Sequence, residues 1–320
     1  MRIWNYIFIT LLLILSLIGI CITQLPDNNL HIIACDVGQG DAILITYKNT
    51  QILTDGGPDK KVMDCLGRHI PFWDRHIELV ISTHPDADHS TGLIEVFKRY
   101  NVAEVLINPI DSGTQTIKAL EKVVGSSGAT VLTPTYGTKL RLGLIYLDIV
   151  NPSLSQIADL NEKAENSPLG FYKPIDPTND YSISFVLAFG KFKGLFTGDI
   201  GPAVSDRLVD DLGNIGIETI DYIKIPHHGS KNGLTQNLLE KVVPGGLPRQ
   251  NPQQEPSTNS SEKATAKVVG VISVGKNNRY GHPSPEIIEM LSRYNIKTYR
   301  TDEMGDVETV TDGEKFWLKK

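Results

Sequence analysis

Apolar residues are distributed along this chain in two different ways. Residues 3–22 form one uncharged, largely apolar run, whereas beyond residue 30 short apolar runs alternate with polar turns and amphipathic stretches. The first pattern is typical of a helix that crosses a bilayer, which requires ~20 residues. The second is typical of a globular domain that mixes strands and helices. The chain is therefore predicted to consist of a membrane anchor and short linker, residues 1–29, and one α/β (α+β) domain, residues 30–320.

Charges around the apolar run predict the orientation of the chain. Arg2 and the amino terminus precede the run and Asp27 follows it, so the positive-inside tendency places the body outside the cytoplasm. A cleaved signal peptide needs small residues at its cleavage site, and Cys21-Ile22-Thr23 supplies a poor one. Processing as a lipoprotein at Cys21 is disfavoured similarly, because Ile20 is bulky. We expect a single-pass protein of the cell membrane, and secretion after cleavage is the alternative.

The apolar pattern of residues 30–320 predicts strands and helices in alternation. Strands are predicted at residues 30–36, 42–47, 51–55, 78–82, 102–107, 130–132, 144–150, 183–189, 222–225 and 268–274, with closing strands within 297–318. One helix is predicted to begin at residue 92, and others are predicted at residues 116–124, 202–212, 235–243 and 285–294. Residues 244–263 are rich in Pro, Gln, Ser and Asn, which predicts a mobile surface insertion.

Composition limits the partners and the redox chemistry. With 40% hydrophobic residues the chain can bury a sizeable core, and a formal charge of −6 gives it no general basic surface. Any polyanion must therefore be held locally. A disulfide between Cys35 and Cys65 is conceivable in an oxidising compartment. Because Cys35 lies among apolar residues, we instead expect it to be a free, buried side chain.

The densest group of metal-binding side chains follows the strand predicted at residues 78–82. Four potential ligands, His84, Asp86, Asp88 and His89, lie within six residues. Alternate positions of an extended loop project to the same side, so His84, Asp86 and Asp88 can converge, and His89 can serve a second ion. Surface loops carry His and Asp by chance, but this density at a strand-to-helix junction favours a metal site.

Five further segments follow a fixed order around this loop and establish a family resemblance. They are Asp36-Val-Gly-Gln-Gly-Asp41-Ala, Asp55-Gly-Gly57, Thr197-Gly-Asp199, Pro226-His227-His228-Gly-Ser230 and Tyr280-Gly-His282-Pro283. With the loop, they resemble the metallo-β-lactamase superfamily, with Asp86 in place of the second His of its HxHxDH signature. Within that superfamily they resemble the extracytoplasmic hydrolase domain of ComEC-type competence proteins. The resemblance implies a four-layer αββα sandwich.

The resemblance also implies two divalent metal ions, Zn²⁺ or Mn²⁺, in a groove between two sheets. The implied ligands are His84 and Asp86 for the first ion, Asp88 and His89 for the second, Asp199 as the bridging carboxylate, and His227. An Asp at position 199 could instead cap the helix predicted at residues 202–212.

One family ligand is missing, since no His lies between His89 and His227. Asn179, Asp180 or a water molecule would have to fill that position. Together with Asp86, this makes the first site richer in oxygen, which favours Mn²⁺ while leaving Zn²⁺ open.

The family pattern assigns roles around the metals. Asp41 and Asp55 are expected to shape the loops that hold the ions. Asp88 is expected to orient the attacking water, and His282 to protonate the leaving oxygen. Three residues are expected to contact substrate: His228, Lys276 and Arg279. For Lys276 and Arg279 the alternative is an ordinary solvated loop.

These assignments predict a membrane-anchored, metal-dependent phosphodiesterase or nuclease that acts on DNA outside the cytoplasm. Paired ions would activate water and stabilise the phosphorane. The alternatives are an extracellular hydrolase of another phosphodiester or ester, and, in a different class, a non-catalytic accessory module for DNA uptake. A single membrane segment forms no channel, so DNA uptake would require a separate channel protein as partner.

Overall fold

The computed structural model describes residues 2–108, 110, 112–161, 178–245 and 268–319. Its first sheet contains β1 (Leu30–Ala34), β2 (Ile43–Tyr47), β3 (Thr50–Thr54), β4 (His76–Ser82), β5 (Asn101–Ile107), β6 (Thr130–Leu132), β14 (Val307–Thr311) and β15 (Phe316–Lys319). The second contains β7 (Lys139–Leu142), β8 (Ile145–Asn151), β9 (Ser184–Phe189), β10 (Phe192–Phe196), β11 (Tyr222–Lys224), β12 (Val269–Ile272) and β13 (Lys297–Arg300). The spatial orders are β15-β14-β1-β2-β3-β4-β5-β6 and β13-β12-β11-β10-β9-β8-β7.

The outer face of each sheet is covered by helices. The α-helices within the described residues are α1 (Arg2–Thr23), α2 (Val62–His69), α3 (Ala87–Ser90), α4 (Leu93–Arg99), α5 (Gln115–Ser127), α6 (Leu154–Asn161), α7 (Pro202–Asn214), α8 (Gln236–Val242), α9 (Pro285–Arg293) and α10 (Thr301–Met304). Buried side chains of α2, α4 and α5 pack on the first sheet, and those of α7, α8 and α9 pack on the second.

The pleat of the strands explains how one chain builds three apolar layers. Ile32 of β1 faces the layer between the sheets, and the adjacent Ile33 faces the helices. In the second sheet Phe196 faces inward and Leu195 faces the helices. Successive strand side chains point to opposite faces, so a strand that is apolar at every position can be buried on both. The predicted αββα sandwich is confirmed.

Parallel strands bring the functional loops to one edge. In the first sheet β3, β4 and β5 are parallel neighbours, and in the second β10, β11 and β12 are parallel neighbours. The carboxyl ends of parallel strands lie at the same edge of a sheet, where side chains on the following loops can converge. The edges of the two sheets are joined there, because the Ile183 N–H donates to the Thr83 carbonyl oxygen at 2.9 Å.

The first helix covers the predicted anchor. Its described side chains are exposed except for that of Cys21, which is partly buried; the exposed ones include Ile3, Trp4, Phe8 and Leu15. Across the described residues, however, no helix has the combination of length and apolar character that crossing a membrane requires. The anchor therefore stays a prediction. The insertion predicted at residues 244–263 lies outside the described residues except for Pro244 and Gly245.

The expectation that Cys35 is a free thiol is wrong, because Cys35 and Cys65 form a disulfide. Both cysteines are fully buried in the layer between α2 and the first sheet. Cys35 does lie in an apolar environment, as predicted. The helix α2, which the sequence pattern did not predict, packs across the sheet and places Cys65 against it. The bond closes a loop between residues separated by 30 positions.

Removing this cross-link is expected to destabilise the protein. The loop-entropy relation gives about 3–4 kcal/mol for a loop of this length. We expect the Cys35→Ala/Cys65→Ala variant to show that loss in the free energy of unfolding, measured by chemical denaturation. Wild-type protein should lose a similar amount when reductant is added, and the variant should not respond to reductant. A wild-type unfolding curve that is insensitive to a strong reductant would contradict the assignment.

Candidate metal centre

The metal-binding loop begins where β4 ends. Asp86 is extended, but α3 begins at Ala87, so Asp88 and His89 lie on a helical turn. The alternation of an extended loop therefore stops at Asp86 and does not govern the residues after it. His89 is fully buried as a result, whereas the side chains of Asp86 and Asp88 remain 42% and 34% exposed.

Four buried side chains from four loops form the core of the site. The ligand atoms of Asp41, His89, Asp199 and His228 all lie within 4.8 Å of one another. Asp199 is central, since its Oδ2 lies 3.2 Å from the Nε2 atoms of both His89 and His228. Gly201 occupies the N-cap position of α7 without a side-chain cap. Asp199 therefore faces the histidines and does not cap the helix.

The structure places His228 in this cluster, and not His227 as the family pattern predicted. Both residues have positive φ angles, 54° and 51°, within a tight turn after β11. The His228 Nδ1–H donates to the Ser273 carbonyl oxygen at 2.9 Å, which aims its Nε2 at Asp199. His227 points elsewhere, and its Nδ1 lies 3.5 Å from the Asn179 amide.

The other two histidines of the site are oriented in the same way through Nδ1. The His89 Nδ1–H donates to Asp55 Oδ2 at 2.9 Å. Thr83 donates its hydroxyl proton to the same carboxylate at 2.7 Å, so its oxygen is free to accept from His84 Nδ1 at 3.0 Å. Partners of this kind fix the tautomer of ligating histidines and leave Nε2 for the metal. Asp55 thus contacts both Thr83 and His89, beside the side chains that could hold an ion.

Unpaired buried atoms provide a test of whether this group suits a cation. Of the fourteen such atoms within the described residues, six belong to side chains at this centre: Asp41 Oδ1, His84 Nε2, His89 Nε2, Asp199 Oδ1, His228 Nε2 and Lys224 Nζ, the last of which forms an ion pair with Asp41. Buried polar atoms are normally paired, so a cluster of unpaired ones calls for an explanation. Imidazole nitrogens and carboxylate oxygens are ligands of divalent metals. The residues present therefore fit a divalent ion.

Charges in the cluster perturb its titration strongly. Burial alone would lower the pKa of His89, but Asp199 and Asp55 outweigh it and raise that pKa well above 6.5. The same balance, with Asp199 and Asp41, raises the pKa of His228 well above 6.5. Burial raises the pKa of Asp199, yet the two histidines hold it well below its usual range. A metal ion must consequently displace protons from His89 and His228, so binding strengthens as pH rises.

A buried lysine at the centre was not predicted. The ammonium of Lys224, at the end of β11, lies 2.6 Å from Asp41 Oδ2 and 3.9 Å from Asp199 Oδ1. The signal was present in the sequence, because a single charge interrupts the apolar run Tyr222-Ile-Lys-Ile225. Burial raises the pKa of Asp41, and Lys224 followed by His228 outweighs it and lowers that pKa.

The remaining predicted ligands lie around the cluster and not in it. Asp88 Oδ2 is 3.3 Å from His228 Nε2 at the exposed side. The Asp86 carboxylate lies 3.7 Å from His84 Nε2 and accepts from the Thr178 hydroxyl at 3.2 Å. Asp180 accepts from the Gly201 N–H at 3.0 Å. Neither Asn179 nor Asp180 therefore replaces the missing His within the cluster formed by the described residues.

The loop at residues 275–282 stands at the mouth of the site. Asn278, which was not predicted, ties it together through bonds to the Gly275 and His282 carbonyl oxygens at 3.1 and 2.8 Å. The His282 ring lies 6.0 Å from that of His227, and the exposed Tyr280 ring stacks on His282 at 5.8 Å. Lys276 and Arg279 are exposed on the same loop. Burial, and then His227, lower the pKa of His282.

A sandwich of two sheets with His and Asp ligands at their shared edge defines a metal-binding αββα protein. The model of the family described as "Metallo-beta-lactamase superfamily" matches residues 35–275, and the chain belongs to that superfamily. The match confirms the family resemblance that the motifs predicted, and the protein is a metal-dependent hydrolase of this class.

Two curated relatives share the sequence at low identity. ComE operon protein 3 of Bacillus subtilis (strain 168) is 24% identical over 294 residues, which cover 85% of this chain and 32% of that protein. Recombination protein 2 of Haemophilus influenzae is 25% identical over 288 residues, which cover 89% of this chain and 29% of that protein. The chain thus spans about a third of the length of these relatives.

Among solved structures, the metallo-beta-lactamase fold protein YhfI from Bacillus subtilis is similar with a TM-score of 0.49 and 9% identity. The alignment covers 91% of this chain and 100% of that one.

Adjacent histidines offer a matched test of the metal centre. His228→Ala removes a nitrogen from the cluster, so we expect affinity for Mn²⁺ or Zn²⁺ to fall by at least ~100-fold. His227→Ala, one position away, should change the affinity only slightly. Isothermal titration of metal-free protein measures both. If His227→Ala loses the metal and His228→Ala keeps it, His227 is the ligand, as the family pattern implied, and His228 is not.

Proposed function

We propose that this protein hydrolyses phosphodiester bonds, with DNA outside the cytoplasm as its substrate. The observation that carries the proposal is the position of the predicted substrate groups. The buried cluster is flanked on its open side by Asp88 and by the loop that holds His282, Lys276 and Arg279. The cations could bind the phosphate that a net charge of −6 would otherwise repel.

The comparisons support DNA as the substrate. The names of the two relatives refer to the ComE operon and to recombination, and recombination is a process of DNA. The motif order in this chain resembles the hydrolase domain of competence proteins. A role in DNA uptake would still require a separate channel protein.

Different residues of this chain would carry out different parts of the reaction. His89, His228 and Asp199 would hold a divalent ion, with Asp88 beside His228 at the open side and the His84 ring next to that of His89. A bound ion supplies Lewis-acid stabilisation of negative charge on the phosphate oxygens. Asp88 can orient a water molecule through its free oxygen, because its carboxylate is partly exposed beside His228.

His282 is the candidate proton donor to the leaving oxygen. Burial, and then His227, lower its pKa and so disfavour its protonated form in the protein alone. A phosphate dianion or phosphodiester anion nearby favours the protonated form and raises that pKa again. The ring is half-buried and its loop is held by Asn278, so it is positioned before substrate arrives.

Two substitutions test this division of roles. Asp88→Asn keeps the size of the side chain and removes its charge, so hydrolysis should fall by orders of magnitude on every substrate. His282→Ala should keep the metal and lose about 10²–10⁴-fold in rate on DNA. Its loss should shrink on bis(p-nitrophenyl) phosphate, whose leaving group needs no proton. The measurements are hydrolysis of single-stranded DNA, duplex DNA and the small diester with added Mn²⁺ or Zn²⁺.

His76→Ala is the control for these variants, because His76 begins β4 at the end opposite to the site and is partly exposed. It should retain wild-type rates. Full activity of Asp88→Asn, or no hydrolysis of any phosphodiester by metal-loaded wild type, would overturn the proposed function. Hydrolysis confined to the small diester would instead favour a substrate other than DNA.

We also propose that residues 3–22 attach the chain to the cell membrane with the body outside the cytoplasm. The exposed apolar side chains of α1 support this proposal. A second apolar feature adjoins it: the exposed rings of Phe72 and Trp73 meet edge to face at 4.9 Å, and the Phe72 N–H donates to Gln24 Oε1. The Cys35–Cys65 disulfide is typical of an oxidising, extracytoplasmic compartment.

Cell fractionation tests the attachment. The protein should remain with the membrane after alkaline carbonate washing, and protease added outside the cytoplasmic membrane should digest residues 30–320. Release by carbonate would show a peripheral or secreted protein. Protection of the body until the membrane is opened would reverse the orientation.

A further inference from the structure

Lys224 stands out among the charged residues of this protein. It is the one Lys or Arg side chain that is buried in the described part of the chain, with 1% of its surface exposed. It ends β11, four residues before His228, so the strand that delivers a metal ligand also delivers an ammonium. Its polar end reaches into the metal centre, and not toward solvent as buried-stem lysines usually do.

Lys224 lies close to one carboxylate of the centre, Asp41, and farther from a second, Asp199. Its ammonium lies 2.6 Å from Asp41 Oδ2 and 3.9 Å from Asp199 Oδ1. The other oxygen of Asp199, Oδ2, faces His89 and His228 at 3.2 Å. Asp199 is thus placed between the ammonium and the position where a metal ion would be held.

Buried carboxylates without compensating charge are strongly destabilising. Asp41, Asp55 and Asp199 are all buried, and Asp55 is already bonded to Thr83 and His89. Asp41 has more distant partners: its Oδ1 lacks a hydrogen-bond partner, and the His228 Nδ1 and His89 Nδ1 lie 3.5 and 3.9 Å from its oxygens. Lys224, at 2.6 Å, is therefore the nearest positive charge to Asp41, and it is there whether or not an ion is present.

We propose that Lys224 is a built-in cation of the metal centre. It neutralises Asp41, so that Asp41 is not required as a metal ligand, and it holds the buried carboxylates together before an ion binds. Because its ammonium lies 3.9 Å from Asp199 Oδ1, the oxygen of that carboxylate that does not pair with the histidines, it also opposes the ion electrostatically and limits how tightly the centre binds it. The inference rests on metal binding at this centre and not on the proposed substrate.

The direction in which Lys224→Met changes the metal affinity distinguishes this role from a purely structural one. Lys224→Met removes the charge and keeps an unbranched apolar side chain. We expect the metal-free variant to unfold at a lower temperature than wild type. We also expect it to bind Mn²⁺ or Zn²⁺ about 10-fold more tightly or better, because a positive charge next to a ligand carboxylate has been removed. A lysine that only supported the fold would give weaker binding when removed.

Two further variants complete the experiment. Lys224→Met/Asp41→Asn removes both charges of the pair, so its metal-free stability and its affinity should return toward wild type. Lys231→Met makes the same charge change on an exposed side chain three residues after His228, and it should leave both quantities unchanged. If Lys224→Met is too unstable to purify without metal, Asp41→Asn and the double variant are compared instead. The lone ammonium in Asp41→Asn should then weaken binding relative to the double variant.

Unchanged or weaker binding by folded Lys224→Met would overturn the proposal, as would equal affinities of Asp41→Asn and the double variant. Titration calorimetry and thermal unfolding give these results without any substrate. A failure here would therefore leave the phosphodiesterase proposal standing. Equally, an absence of hydrolytic activity would not affect the behaviour expected of Lys224.

Discussion

The requirement that buried charges compensate one another governs the centre of this protein. Asp199 lies between two histidines on one side and Lys224 on the other, and Asp41 pairs with the same lysine. None of these groups is near enough to water to be solvated, so each must be held by its neighbours. The geometry of the loops around them follows from that need, because a small displacement would leave a charge without a partner.

The scaffold meets this need through parallel strands in both sheets. β4 and β11 end at the same edge of the sandwich and deliver the metal loop and the His227–His228 turn. Close backbone approaches fix the loops further. A side chain at Gly40, whose φ is 136°, would meet the Asp88 carbonyl oxygen at 2.0 Å. The Gly-Gln-Gly-Asp segment can therefore lie against the metal loop and bring Asp41 into the cluster only because position 40 has no side chain.

The fold class and the chemical class of the site could be predicted from sequence. Alternating strands and helices indicated a mixed α/β domain, the resemblance to the superfamily implied the αββα sandwich, and the density of potential ligands from His84 to His89 indicated metal binding. The choice between His227 and His228 could not be predicted, since it depends on two residues with positive φ that reverse the expected direction of their rings. Similarly, Asp88 and His89 point where they do because a helix begins at Ala87.

Features that depend on packing between distant segments were also missed. The Cys35–Cys65 disulfide was considered and then rejected, because nothing local to Cys35 indicated that α2 would lie across the first sheet and bring Cys65 to it. Lys224 was not singled out within its apolar strand, because its burial depends on an acidic partner 183 residues earlier in the chain. A lone charge inside a fully apolar strand is therefore a signal to search for buried carboxylates elsewhere.

The site combines a buried cluster of charges with a partly exposed loop beside it, and in the proposed function these two parts have different tasks. The buried cluster holds the paired charges of the carboxylates, the histidines and Lys224, which lie on strands and short turns. In the proposed function, substrate contact belongs to the loop at residues 275–282, where Lys276, Arg279 and Tyr280 are exposed and Asn278 holds the backbone. On that proposal, changes in the loop would alter which phosphodiester is bound without disturbing the charges that hold the centre together. Substrate preference would then be set at the entrance, whereas metal binding is set by the buried cluster.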